Sequence, residues 1–329
     1  MPTFPAHAFD LPPEQLESYS GTNPKPEDFE DYWNATLEEA DALPDQVDIQ
    51  KADFQAPRVQ CYDLVFKGLG EAAVYAKFIR PEKPSPDGNP GLLNFHGYSI
   101  SSPQWMDLYR YAALGFYVLA LDCRGQGGRS EDSGATHRNT LHGHIVRGVF
   151  EDPKHLRFRA IFSDTYRLAG ILANLPEVDE TRLVAMGGSQ GGGLSLACSA
   201  LYPKIAQVLV SYPFLCDYQR VWELGLSEEG AYREIGELVR RVDPRGERLD
   251  TLFHNLGYVD VAHLAPRIRA TCLMGVGLAD RVCPPSTQFA AYNRLQGEKE
   301  YVLYPLQGHE ALPGFEDLAS KYYTRLLPS

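Results

Sequence analysis

The first residue in this sequence placed to do chemistry is a serine among glycines. Gly187-Gly188-Ser189-Gln190-Gly191 has the spacing G-x-S-x-G. Before it, Leu183-Val184-Ala185-Met186 is a short continuous apolar run, the pattern of a strand covered on both faces of a parallel sheet. After it, residues 192–201 are small and apolar, with Leu194, Cys198 and Leu201 at helical spacing. A strand, a tight turn and a helix in this order make a nucleophile elbow, which lifts the serine hydroxyl clear of the sheet. Glycine is needed beside the serine because a Cβ would meet neighbouring backbone. The free amides and dipole of the following helix favour a developing anion. The chemistry implied for Ser189 is nucleophilic attack; the alternative is a glycine-rich helix start carrying a surface serine.

A serine nucleophile needs a base, an orienting acid and an oxyanion site. When the nucleophile sits on an elbow of this kind, the chain order is serine, acid, histidine. Asp280 follows an apolar strand at 270–276, and His309 follows one at 300–304, within Gln307-Gly308-His309-Glu310. Asp217, after a strand at 207–211, is an alternative acid that the same order allows. The strand ending at Phe95 leads into His96-Gly97-Tyr98. The Tyr98 amide can pair there with the Gln190 amide as an oxyanion hole, each donor contributing roughly 2.7–4 kcal/mol in the transition state. Arg124-Gly125-Gln126 follows a strand at 117–122 and borders the same rim. Arg124 and Gln126 are expected to scaffold the site, and Glu310 to brace the His309 loop. Tyr98, Trp105 and Phe214 are candidate pocket walls.

Other polar groups are weaker candidates. His142-Gly143-His144 lacks a third ligand at a metal spacing and reads as loop. His254 and His263 read as local or solvent-facing. Gly275-Val276-Gly277 lacks the third glycine of a dinucleotide fingerprint and opens no helix. No cofactor and no metal are expected.

The elements that must position these groups follow from hydrophobic patterning. Residues 1–55 form an N-terminal extension in which Phe29, Tyr32, Trp33 and Leu37 share a helical face. Residues 47–79 read as leading antiparallel strands. Strands at 91–95, 117–121, 183–186, 207–211, 270–276 and 300–304 alternate with helices at 105–114, 160–173, 192–201, 286–295 and 315–327. This is an α/β pattern with a mostly parallel sheet and reactive groups at the carboxyl ends of its strands. Residues 217–266 are more polar, with Tyr232, Ile235, Leu238 and Val239 at helical spacing, and read as a helical insertion. One domain over residues 1–329 is expected.

The totals narrow the function. The net charge of −12 repels nucleic acid and anionic membranes, and no apolar run of 18 residues appears. The first residues carry neither a basic nor an apolar leader region. The six cysteines are scattered, with no paired spacing. This usage suggests a reducing, cytoplasmic setting.

Taken together, the motifs resemble the cephalosporin-C deacetylases and acetyl xylan esterases, a family of α/β-hydrolases. The likeness rests on Asp28-Phe29 to Trp33, His96-Gly97-Tyr98, Arg124-Gly125-Gln126, Gly-x-Ser-Gln-Gly at 187–191, Pro213-Phe214-Leu215-Cys216-Asp217, Cys283-Pro284-Pro285-Ser286-Thr287 and Gly308-His309-Glu310. It spans nearly the whole chain. The resemblance implies a triad of Ser189, Asp280 and His309, with Tyr98 and Gln190 at the oxyanion hole. It implies removal of acetyl groups from small acetylated sugars and from cephalosporin C, in cytoplasmic homo-oligomers that are often hexamers. Ser99, where the family more often has asparagine, and the stretch at 311–317 depart from the pattern and bear on substrate access. The alternatives are a bulkier-acyl esterase, lipase or peptidase on the same fold, and a non-catalytic binding protein.

Overall fold

The computed structural model describes residues 9–133, 142–228 and 230–328; the first eight residues of the N-terminal extension lie outside the described residues. One sheet carries nine strands among the described residues. They are β1 (Val47–Lys51), β2 (Val59–Gly68), β3 (Ala72–Pro81), β4 (Asn89–Phe95), β5 (Tyr117–Leu121), β6 (Val178–Gly188), β7 (Ile205–Ser211), β8 (Thr271–Gly277) and β9 (Lys299–Tyr304), in the spatial order β1-β2-β3-β5-β4-β6-β7-β8-β9. The first three pair antiparallel, as does β3 with β5; all pairings from β5 through β4 to β9 are parallel. This is an α/β-hydrolase fold.

The middle stretches of the central parallel strands are apolar because both their faces are covered there, whereas β6 has exposed Glu180 and Thr181 near its start and β9 begins with exposed Lys299 and Glu300. Every residue of β5 is buried. On one face lie α1 (Phe29–Asp41), α3 (Arg157–Ala173) and α4 (Gln190–Leu201), whose Trp33, Phe162, Leu168 and Leu194 join one core. On the other lie α2 (Trp105–Leu114) and α9 (Phe315–Tyr323), with Leu108, Tyr111, Ala319 and Tyr323 in a second core. Trp105 stacks on Phe54 at 6.1 Å in that second layer and lines no part of the cavity at Ser189. The wall expected of it is corrected: the first turn of α2 directs it to the far side of the sheet. The closing helix ends at Tyr323 and tightens into a 3₁₀ turn, short of the expected 327.

Between β7 and β8 the chain makes α5 (Tyr218–Glu223), α6 (Arg233–Val242), α7 (Leu249–Leu256) and a one-turn helix at Val261–Leu264. Tyr232, Ile235 and Val239 are buried, and Leu238 packs against them. After β8 comes α8 (Pro285–Tyr292). The parallel register aligns Phe95 with Leu121 and Gly187, Gly188 with Ser211, and Gly277 with Tyr304. Six strands therefore end at one rim, where such sheets place their ligands.

Candidate active site

The turn from β6 into α4 is as tight as G-x-S-x-G requires. A Cβ on Gly191 would lie 2.0 Å from the Phe95 carbonyl oxygen, and one on Gly187 would lie 2.6 Å from it. Ser189 takes φ 55° and ψ −122°, a conformation that side chains avoid unless their surroundings enforce it. The enforcement is visible. The Ser189 N–H donates to Ser211 O at 3.1 Å, and Ser189 O accepts from Phe214 N–H at 3.0 Å and Gly193 N–H at 3.1 Å.

His309 lies in the loop after β9, and its Nε2 is 2.9 Å from Ser189 Oγ. Its Nδ1 is 2.9 Å from Asp280 Oδ2. Asp280 follows β8 and is fully buried, and its other oxygen accepts the N–H groups of Val282 and Cys283, each at 2.8 Å. A buried carboxylate held on both oxygens can fix an imidazole and balance its positive charge when a proton arrives. The structure thus brings together Ser189, Asp280 and His309 from three strand ends. Tyr212, which the sequence did not single out, packs its ring 4.7 Å from that of His309. Cys283 also lies against this group, with ligand atoms of Asp280, Cys283 and His309 within 4.8 Å of one another. Burial pushes its thiol well above the usual thiol range, so it is a protonated neighbour.

The Tyr98 loop is tied to the elbow by two buried amides. Gln126 Nε2 donates to Gln190 Oε1 at 2.7 Å, and Gln190 Nε2 donates to Gln126 Oε1 at 3.0 Å. Gln126 Oε1 also accepts the Ser99 N–H at 2.9 Å. Gln190 opens α4, so its own N–H belongs to the first-turn donors that lack an intrahelical acceptor. His96 is a structural link: its Nδ1–H donates to Gly97 O at 2.7 Å and its Nε2 accepts Cys123 N–H at 2.9 Å. Burial lowers its basicity, in keeping with that neutral form.

Arg124 is turned away from the rim. Its fork grips Asp164 at 2.7 and 2.5 Å and Leu69 O at 2.8 Å, with both side chains 1% exposed. Glu310 Oε1 accepts Gly308 N–H at 3.1 Å within its own exposed loop.

Above Ser189 opens a cavity of about 510 Å³. Gly97, Tyr98 and Ser99 form one side, Tyr212 and Val282 another, and Gly230, Ala231 and Arg233 of the inserted segment a third, with exposed His142 at its edge. Phe214 lies under the Tyr98 ring at 5.7 Å, fully buried. Tyr98 Oη donates to Glu234, a residue that nothing in the sequence of its charged helix singles out.

The remaining candidates lie elsewhere. Asp217 is fully buried and accepts from Tyr19 Oη at 2.7 Å, Thr22 N–H at 3.1 Å and Asn23 N–H at 2.9 Å, so it anchors the N-terminal extension. His263 is buried, contrary to the expectation of a local or solvent-facing group: Arg294 Nη1 reaches its Nδ1 at 2.9 Å and Phe29 meets its ring edge. His254 meets Tyr258 edge-on. The His144 N–H donates to Tyr98 Oη at 3.2 Å. Gly275 and Gly277 lie within β8, packed under Phe315 and the Gln307 carbonyl.

Comparison with known proteins finds similarity over nearly the whole chain. The family model described as acetyl xylan esterase (AXE1) matches residues 6–326. The structure of acetyl xylan esterase 1 from Thermoanaerobacterium sp. JW/SL YS485 is 50% identical and superposes with a TM-score of 0.93, covering 97% of this chain and 100% of that one. An acetyl xylan esterase from Paenibacillus sp. R4 is 32% identical with a TM-score of 0.89, covering 96% and 99%. The acetyl esterase Axe7A of Xylanibacter ruminicola is 27% identical over 303 residues; the match covers 90% of this chain and 66% of that protein's length.

Proposed function

This chain belongs to the acetyl xylan esterase family of carboxylic ester hydrolases, and we propose that it removes acetyl groups from small acetylated sugars through an acetyl-enzyme on Ser189. The observation that carries this reading is the relay from Ser189 Oγ to His309 Nε2 and from His309 Nδ1 to Asp280 Oδ2, with 2.9 Å at each of the two hydrogen bonds. Ser189 Oγ attacks the acetyl carbonyl carbon while His309 Nε2 takes its proton, and Asp280 steadies the imidazolium. The carbonyl oxygen becomes an oxyanion received by the amides of Tyr98 and Gln190. The intermediate collapses, and the sugar oxygen leaves with the proton from His309. Water then attacks the acetyl carbon as His309 accepts its proton, and acetate departs with the serine restored.

Acetylated xylo-oligosaccharides and cephalosporin C are the substrates this reading favours, the cavity being walled largely by small and aromatic residues, with Arg233 and Val282 among them. A homo-oligomer, a hexamer by resemblance, acting in the cytoplasm completes the reading. All six cysteines are free and buried, which suits a reducing compartment; among the described residues no helix is long and apolar enough to cross a membrane. Asp217, at the start of the inserted helices, holding Tyr19 to Asn23 supports a single folding unit. The test is a panel of acetylated xylo-oligosaccharides, cephalosporin C and nitrophenyl esters of rising acyl length, with labelling of Ser189 by a serine-directed phosphonate. Acetyl esters turned over fastest, with one serine labelled per chain, is the expected result. A preference for octanoate, or no labelling, would overturn it.

A further inference from the structure

The helical insertion reaches the oxyanion loop through one buried carboxylate. Glu234 stands in the first turn of α6 and is 5% exposed, while its helix neighbours Arg233 and Glu237 keep side chains about half exposed. Its Oε1 accepts from Tyr98 Oη–H and from Gly143 N–H at 2.7 Å, and its Oε2 accepts Ile145 N–H at 3.0 Å. Tyr98 Oη in turn accepts the His144 N–H. Burying a carboxylate is costly unless both oxygens find donors, and here each donor belongs either to Tyr98 or to the chain beside it.

The turn so held is itself strained. Ser99 sits at φ 64°, a left-handed conformation that a residue with a Cβ rarely adopts. Such a turn persists only where its surroundings over-determine it. Gln126 holds the Ser99 amide on one side. On the other side the anchor is Glu234, through the Tyr98 hydroxyl.

We infer that Glu234 is a positioning residue for the oxyanion loop: it fixes the Tyr98 side chain and, with it, the turn that presents the Tyr98 amide to the acyl oxygen. The inference rests on the serine esterase reading above. Glu234 does not line the cavity, so its effect is on the placement of a transition-state donor and not on substrate contact. Oxyanion donors act only if they are already in place when charge develops, and displacement by about 1 Å can cost a hundredfold.

The experiment compares the full chain with Glu234→Ala, Glu234→Gln and Tyr98→Phe. Expected is a fall in kcat for acetyl esters of about tenfold to a hundredfold for the alanine variant, with KM changed by less than about threefold. Glu234→Gln falls in between, since one amide oxygen still accepts while its NH₂ opposes a backbone N–H. The affinity of a boronic acid that forms a tetrahedral adduct on Ser189 falls in step with kcat, which loss of fold stability alone would not produce. Tyr98→Phe removes only the hydroxyl and keeps the test alive if Glu234→Ala does not fold. Folded variants with wild-type kcat and boronate affinity, or with KM alone altered, overturn the inference. A wild-type protein inactive on every acetyl ester would instead sink the esterase reading.

Discussion

The side-chain amides of Gln126 and Gln190 face each other as a reciprocal pair, each donating to and accepting from the other in a fully buried space. The pair joins the loop after β5 to the first residue of the nucleophile helix, and its third bond holds the amide of Ser99. Gln126→Leu takes the donor from buried Gln190 Oε1 and the Gln126 acceptor from the part-buried Ser99 N–H, while Gln190 Nε2 keeps its longer contacts to the His96 and Gly97 carbonyls at 3.3 and 3.4 Å. We expect a stability loss of about 1–3 kcal/mol per orphaned group and a fall in kcat of about tenfold or more from a loosened turn. Denaturant unfolding and steady-state kinetics on the same preparation read both.

Ser189→Ala should lower turnover of acetyl esters by about a million-fold while leaving the fold intact, since the triad acts as a unit. The measurement is turnover on a nitrophenyl acetate, with thermal melting as the control for folding. Full activity in that variant would mean that a different group attacks.

Asp280 and Asp217 are both buried acids after sheet strands, and their partners set them apart. Asp280 faces His309, whereas Asp217 faces Tyr19, Thr22 and Asn23. Asp280→Asn should cut kcat by about 10⁴-fold with little loss of stability, because the amide favours the wrong imidazole tautomer. Asp217→Asn should do the reverse, lowering the melting temperature and exposing residues 19–23 to protease while kcat per folded molecule stays within a few-fold. Kinetics and limited proteolysis on the two variants give the answer.

His263 carries a pH signature of stability. Burial, with the Arg294 guanidinium beside it, pushes its imidazole down to about 4. The unfolded chain binds that proton from about pH 6.5 downward, and the folded chain does so only near pH 4. The stabilising contribution is therefore full above about pH 6.5 and is lost as pH falls toward 4, to a total of about 3 kcal/mol. Asp260, with its carboxyl pushed up to about 8 by burial and the charge of Asp217, acts in the opposite sense: its contribution is full below about pH 3.8 and fades as pH rises through 8. The slope is accordingly read as the difference between wild type and His263→Asn. Wild type should lose up to about 3 kcal/mol more than the variant between pH 7 and pH 4 in chemical denaturation; parallel curves would remove His263 as the cause.

Much of the fold could be read from the sequence because the buried strands announce themselves as unbroken apolar runs, as Tyr117–Leu121 does. Ser189, Asp280 and His309 could be picked out because each follows such a run, and the parallel register brings all their strand ends to one rim. Glu234 could not. Within Arg233-Glu234-Ile235-Gly236-Glu237 it looks like part of a solvated face, and only the approach of Tyr98, Gly143 and Ile145 from distant segments buries it. Tyr212 was hidden for a related reason: what matters is its ring against His309, and that contact exists only once β7 and the loop after β9 meet. Trp105 misled because proximity to a strand end does not tell which face of the sheet a helix covers.

The bond from Tyr19 to Asp217 closes a span of 198 residues, and Trp33 Nε1 reaches the carbonyl of Tyr258, 225 residues on. Polypeptides emerge from the ribosome amino end first, and their segments fold as partners become available. Residues 19–33 must therefore wait, already synthesised, until β7 and the inserted helices have followed them out. A stretch made well before its partners is secured late, and a chaperone that shields Phe29 and Trp33 in the interval would have the most to offer this protein.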